Sequence, residues 1–295
     1  MTRFARRGLA TAAILLALAP AVQAAPKAAP KPAPAPAAAP AAPSSSDYRT
    51  PDPQNVLVID TNKGRILVEL VPLAAPAHVV RVRELARQGL YNGRSFFRVI
   101  DQFMAQTGDP KDNGTGGSDL PDLAAEFTFR RGADTPFVQV ADQAVAEIGF
   151  IGPLPVMTQS SQLMPMTADG RISGWALYCP GVAGMARGES PDSGNSQFFL
   201  MRQAYPSLEK RYTAFGRVIA GLDVVRAIKT GEPVDPPQDV MTRVQVLADM
   251  PAASRPKVRV IDPRSPWFAA EVARVRASRG ADFTACAISI PSEVK

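Results

Sequence analysis

The sequence predicts a mainly β protein, an antiparallel barrel with helices at its ends. Three observations predict it: many short strand-like runs, Gly-rich turns between them, and only two helical stretches among them. The first runs are Val56-Leu57-Val58-Ile59-Asp60 and Gly64-Arg65-Ile66-Leu67-Val68-Glu69-Leu70, split by Asn62-Lys63-Gly64, which is a hairpin signal. From Pro76 to about Gln88, Val79, Val82 and Leu85 recur at helical spacing, with a proline suited to the first turn and Gly89 as a stop. Strand-like segments return around Ser95 to Ile100, Phe103 to Thr107, Gly184 to Arg187, Gln197 to Met201 and Thr213 to Val218. A second helix is predicted over Leu222 to Thr230, and a last strand over Thr242 to Leu247.

Two regions depart from this plan. Residues 131–173, with Pro153, Pro155 and the run Met157 to Met166, are too long for a connecting loop and read as an inserted flap. After Met250, Ser265-Pro266 starts a helix with Phe268, Val272 and Val275 at i, i+4 and i+7, and Gly280 stops it. That helix is expected on the barrel, followed by an extended run from Phe283 to Ile290.

At the start of the chain, basic residues precede the apolar stretch Leu9 to Leu18 and a small-residue site at Val22-Gln23-Ala24. This predicts a signal peptide over residues 1–24, cleaved after Ala24. The apolar run falls short of the roughly 20 residues that span a bilayer, so no stable membrane insertion is expected after cleavage. The surroundings of Arg6-Arg7 give a twin-arginine signal little support. Residues 25–50, rich in Ala and Pro, are expected to be a disordered tether. The boundaries expected from this are a folded domain over 51–250 and a C-terminal extension over 251–295.

The formal charge is +6, but Arg3, Arg6 and Arg7 leave with the signal peptide and reduce it to +3. With no dense Lys/Arg run, a nucleic-acid or anionic-membrane surface is not expected. The single histidine, His78, lies in an apparent helix and reads as a solvated or packing residue; with two distant cysteines it makes no metal cluster. Cys179 and Cys286 either bridge or stay as two buried thiols, and the bridge suits an exported chain. One histidine and no Gly-x-Ser-x-Gly elbow argue against a hydrolase, and the Gly114 to Gly117 loop lacks the Lys-Ser or Lys-Thr of a phosphate loop.

The informative segment is Tyr91-Asn92-Gly93-Arg94-Ser95-Phe96-Phe97-Arg98-Val99-Ile100-Asp101-Gln102-Phe103-Met104-Ala105-Gln106-Thr107-Gly108-Asp109-Pro110. On a pleated strand Met104 and Gln106 share one face, so an apolar and an amide side chain stand together near an arginine. In Ser193-Gly194-Asn195-Ser196-Gln197-Phe198-Phe199-Leu200, Gln197 and Phe199 share a face while Phe198 and Leu200 would enter the core. Such pairs suit a peptide-binding groove.

The first segment resembles the cyclophilin signature Tyr-x-Gly-x-x-Phe-His-Arg-Val-Ile-x-x-Phe-Met-x-Gln-Gly-Gly-Asp-Pro, and the second is similar to that family's Ser-Gln-Phe-Phe strand. The order agrees as well: Gly114-Thr115-Gly116-Gly117, then Gly184-Met185-Ala186-Arg187, then Leu208-Glu209-Lys210-Arg211-Tyr212-Thr213-Ala214-Phe215-Gly216. The resemblance covers roughly residues 54–249. It implies a closed eight-stranded barrel with two capping helices, in a bacterial exported form with an insertion and a C-terminal extension.

It further implies a peptidyl-prolyl cis/trans isomerase that acts on proline-containing polypeptides without a cofactor and assists the folding of exported, periplasmic proteins. Arg98 would be catalytic. Phe103, Met104, Phe199 and Leu208 would form the proline pocket, Gln106 and Gln197 would hold the substrate backbone, and Ala186 and Arg187 would line the groove. Tyr212 falls where many members have histidine. Phe97 replaces the usual histidine, Thr107 a glycine, and Ser207 the tryptophan of cyclosporin-sensitive members, so weak cyclosporin binding is expected. The alternative function is a non-catalytic, cyclophilin-like peptide-binding module or chaperone.

Overall fold

A computed structural model of the protein describes residues 41–295, so the expected signal peptide and the first part of the expected tether lie outside the described residues. The described chain runs through β1 (Tyr48–Arg49), β2 (Val56–Thr61), β3 (Gly64–Leu70), helix α1 (Pro76–Arg87), β4 (Arg98–Val99) and β5 (Met104–Thr107). Then come β6 (Phe129–Arg131), β7 (Phe137–Gln143), β8 (Ala146–Ile151), β9 (Leu154–Gln159) and β10 (Ile172–Ala176). After these follow β11 (Val182–Met185), β12 (Phe198–Met201), β13 (Ala214–Ala220), α2 (Leu222–Ala227), β14 (Met241–Val246), β15 (Val258–Ile261), α3 (Pro266–Arg279) and β16 (Ser292–Val294).

Eight strands form one curled antiparallel sheet in the order β14-β2-β3-β13-β11-β12-β5-β4. The strand number agrees with the expectation, but the ladder does not close. Between β4 and β14 there is only the isolated bridge Ser95 to Val240, with hydrogen bonds such as Phe96 N to the Asp239 carbonyl (2.9 Å). The strand expected from Ser95 to Ile100 shrinks to two residues, because the Asp112 carboxylate takes the Ser95 N–H at 2.6 Å and the Phe96 N–H goes to the Asp239 carbonyl in the loop before β14.

Alternation along the strands builds two cores. Leu57, Ile59, Ile66, Val68 and Leu70 face inward with Val79, Val82, Leu85 and Ala86 of α1 and with Phe198, Leu200 and Val225. On the outer face Val56, Val58 and Leu67 are also buried, under Leu247, Met250, Val258 and Val260. Burial on both faces explains the unbroken apolar run Val56 to Ile59. Helix α1 lacks a side-chain cap of its own at Ala75; the Glu126 carboxylate takes the Ala77 and His78 N–H groups at 3.0 and 3.1 Å. His78 is a packing residue, 2% exposed, with Nδ1 2.6 Å from Glu126. Helix α2 stops at Ala227 rather than Thr230, because the Asp239 side chain takes the Lys229 N–H at 2.8 Å.

The segment expected as a flap is a five-stranded antiparallel sheet in the order β6-β10-β9-β8-β7. Its Phe150, Leu154 and Val156 are buried in the same cluster as Met104, Phe199 and Leu208 of the curled sheet. The helix expected on the barrel, α3, seats on the five-stranded sheet too: Phe268 meets Phe150 edge-on at 5.3 Å, and Arg276 donates to the Val140 carbonyl.

Two expectations about order need correction. The tether was expected to run to residue 50, yet β1 pairs with β15, Asp47 is buried, and Arg49 meets Glu69 at 2.7 Å; long-range pairing overrides local composition here. The run Phe283 to Ile290, expected to be extended, contains the short 3-10 turn Ala285–Ala287, since Thr284 Oγ1 accepts the Cys286 N–H. Cys179 and Cys286 form a disulfide, with Cα atoms 4.9 Å apart. β16 then pairs with β15, completing a three-stranded sheet in the order β1-β15-β16.

Candidate active site

Register brings the predicted residues together. Arg98 on β4 lies opposite Gln106 on β5, Gln106 lies opposite Phe199 on β12, and Phe199 lies opposite Gly184 on β11. Side chains opposite one another in a ladder share a face, so Arg98, Gln106 and Phe199 stand in one row on the outer side of the curled sheet. The row ends at Gly184 for a steric reason: a Cβ there would sit 2.5 Å from Phe199 Cζ and 3.0 Å from Tyr178 Cε1.

The row opens into a cavity of about 180 Å³ lined by Arg98, Phe103, Met104, Gln106, Ala186, Arg187, Phe199, Leu208 and Tyr212. Gln197 is the one predicted residue outside the lining; it stands behind Gln106. The pocket floor is apolar and buried, with Met104 1% and Phe199 4% exposed. Tyr178 stacks beneath Phe199 with ring centres 6.1 Å apart, and Tyr212 meets Phe199 edge-on at 5.9 Å. Tyr205 lies against Phe103 at 4.4 Å and starts the turn that carries Leu208.

A chain of hydrogen bonds holds the polar side of the groove. Arg98 Nη1 donates to Gln106 Oε1 (3.3 Å), Gln106 Nε2 to Gln197 Oε1 (3.0 Å), and Gln197 Nε2 to the Gly116 carbonyl (2.7 Å). The loop bearing Gly116 wraps Asp109, whose carboxylate accepts the N–H groups of Lys111 and Asn113 at 2.8 and 3.0 Å. Burial pushes that carboxyl up, but the backbone donors together outweigh it and hold it below the ordinary 3.8. A Cβ on Gly116 would fall 2.0 Å from Asp109 Oδ1, so only glycine fits that approach.

Arg98 also pairs with Glu232, Nε to Oε1 at 2.6 Å. Arg187 binds the Arg211, Gly188 and Glu189 carbonyls and lies 4.6 Å from the Tyr212 ring centre. The five-stranded sheet reaches this neighbourhood through Trp175, whose ring carries the Lys210 ammonium at 3.6 Å, but contributes nothing to the cavity lining. Sequence reasoning missed Glu232, Tyr205 and Tyr178. Asp109 stood inside the quoted motif, and an acid followed by a Gly-rich loop was a usable sign of a backbone-wrapped carboxylate.

Residues 56–248 match the family model described as cyclophilin type peptidyl-prolyl cis-trans isomerase/CLD. The chain belongs to this family. Its cyclophilin domain is 36% identical over 191 residues to a probable peptidyl-prolyl cis-trans isomerase of Brucella suis, covering 61% of this chain and 74% of that relative. It is 29% identical over 179 residues to peptidyl-prolyl cis-trans isomerase-like 1 of Mus musculus, covering 61% of this chain and 81% of that protein. Among solved structures, the cyclophilin AquaCyp293 from Hirschia baltica is similar, with a TM-score of 0.77 and 34% identity over 84% of this chain and 93% of that one. That last likeness extends beyond the residues of the family match. As a cyclophilin, the chain has the fold and the peptidyl-prolyl isomerase assignment of its family.

Proposed function

We propose that the protein is an exported isomerase that turns Xaa-Pro bonds in unfolded or partly folded periplasmic polypeptides, with Arg98 as its catalytic residue. The observation that carries this reading is the row Arg98, Gln106 and Phe199 across three strands, set over an apolar pocket. The amide barrier of about 18–20 kcal/mol comes from resonance between the nitrogen lone pair and the carbonyl. Twisting the Xaa-Pro bond localises that lone pair on the proline nitrogen. A guanidinium, always charged and rich in donors, can donate to it only in the twisted state, so it stabilises the transition state more than either ground state.

Phe103, Met104, Phe199 and Leu208 hold the proline ring, while Gln106 and Gln197 fix the flanking backbone so that one side of the bond turns. Rotation breaks no σ bond, and the reaction therefore needs neither nucleophile nor base. The signal-like residues 1–24 and the Cys179 to Cys286 disulfide support an exported, periplasmic setting. In this reading α1 and α2 cap the ends of the curled sheet, the five-stranded sheet is an insertion into the domain, and residues 251–295 are an extension that braces it.

The test is the cis-to-trans rate of a short Ala-Pro peptide with residues 25–295 and with Arg98→Ala. Acceleration by the first and not the second supports the reading; equal acceleration by both removes Arg98 from the mechanism.

A further inference from the structure

Arg217, on β13, lies away from the groove and is 9% exposed. Its Nε donates to the Pro180 carbonyl at 3.3 Å and its Nη1 to the Pro153 carbonyl at 3.1 Å, which ties the β8–β9 turn to the curled sheet. These acceptors are neutral. Glu69 is the residue opposite it in the β3 ladder, but that carboxylate is taken by Arg49 at 2.7 Å, and Arg217 has no carboxylate partner among the described residues. Buried Arg202 has Asp101 at 2.9 Å, and half-buried Arg131 has Glu147 at 2.5 Å; Arg81, also buried, is held like Arg217 by carbonyls alone, but it does not line this cavity. A buried cation with no counter-ion is costly, and burial pushes the Arg217 guanidinium down to about 10, still charged at neutral pH.

The same side chain lines a cavity of about 380 Å³ bounded by β13, α2 and residues 286–290. This volume falls in the range of small-molecule sites. Asp223 and Arg226 of α2 also line it and are exposed; with Arg217 the lining holds two cations and one carboxylate, a net positive charge. Ser289 adds a hydroxyl, and Cys286 fixes the far wall through its disulfide to Cys179.

We propose that this cavity binds a small oxyanion, a carboxylate or phosphate group, with Arg217 as its charged partner. The site is separate from the proline groove, and its anion would complete the ion pair that the chain itself does not supply.

The test titrates the folded protein with inorganic phosphate and, separately, with acetate, each against chloride at equal ionic strength, reading the Arg217 Nε–H nuclear magnetic resonance signal and the Tm. A saturable shift of that signal with a rise in Tm is expected. Arg217→Met should weaken binding by roughly tenfold or more, as for loss of a charge-assisted bond, and the exposed Arg226→Gln by about twofold. Saturation by phosphate alone, by acetate alone or by both identifies the group and supports the site. No movement of the Arg217 signal beyond that in chloride overturns it. Where Arg217→Met fails to fold, the wild-type signal and Arg226→Gln decide the matter.

Discussion

Arg98 and Glu232 form an ion pair at the groove, with the carboxylate 2.6 Å from the guanidinium whose other edge meets Gln106 at 3.3 Å. The two side chains are 36% and 55% exposed, so the pair adds little to stability. On the proposed mechanism its effect would be on orientation, with Glu232 a positioning residue that sets the plane of Arg98. Glu232→Gln should lower kcat roughly two- to fivefold with KM nearly unchanged, whereas Arg98→Ala should cost about 10²- to 10³-fold in kcat/KM. Steady-state exchange rates from nuclear magnetic resonance separate the two constants, and an unaltered kcat in Glu232→Gln would remove the positioning role.

Arg187 brings a second cation to the groove, held by carbonyls and with no carboxylate partner among the described residues. Peptides with Glu beside the Xaa-Pro bond should therefore show kcat/KM about two- to fivefold above their Lys counterparts. Arg187→Ala should abolish the preference and Arg187→Glu should invert it. Equal rates across the peptide panel would refute charge selection.

Ser207 precedes Leu208 at the pocket and supplies no indole donor or large ring. Cyclosporin should bind weakly, and titration calorimetry should give no submicromolar Kd. Tight binding would mean that another side chain takes the place of the missing tryptophan.

The Asp109 carboxyl, held below 3.8 by its backbone donors, links the groove loop to pH. A carboxyl depressed in the folded state contributes stability that is present above its unfolded pKa and is lost as pH falls through the folded value. Glu126 and Asp239, also lowered against the opposing effect of burial, act with the same sign. Urea unfolding should show stability declining as pH drops below about 4. Asp109→Asn should cost about 1–3 kcal/mol at pH 7 and flatten part of the acid decline; parallel curves for the two proteins would contradict this.

The Cys179 to Cys286 bridge closes a separation of 107 residues. Cys286→Ser should lower unfolding stability by about 2–4 kcal/mol. If urea midpoints coincide, the bridge constrains nothing that the packing of α3 does not already hold.

Much of the site was legible because strand alternation and motif order act locally: Met104 and Gln106, or Gln197 and Phe199, fall on one face wherever their strands pair. Glu232 was not, since it reaches Arg98 across 134 residues with no pattern to join them. The five-stranded sheet was hidden by its prolines. Pro155 sits inside β9, opposite Phe150, where a proline ordinarily argues against a strand. β1 and β16 have two and three residues, too short for any periodicity, and exist only through pairing with β15. Closure of the barrel was implied by the family resemblance, and the ladder does not show it, because the backbone around Ser95 is engaged by Asp112 and by the loop before β14.

The three-stranded sheet draws β1 and β16 from opposite ends of the described chain and sets β15, with Val258 and Val260, over the outer face of β2 and β3. A polypeptide emerging N-terminus first presents every strand of the groove before Ser292 to Val294 appear. The groove strands can thus pair before the cover is complete; the long-range closure is β1 on β15, Tyr48 opposite Ile261, while β16 adds to β15 at shorter range. The cover is therefore completed from one edge to the other, its long-range pairing available before its last strand.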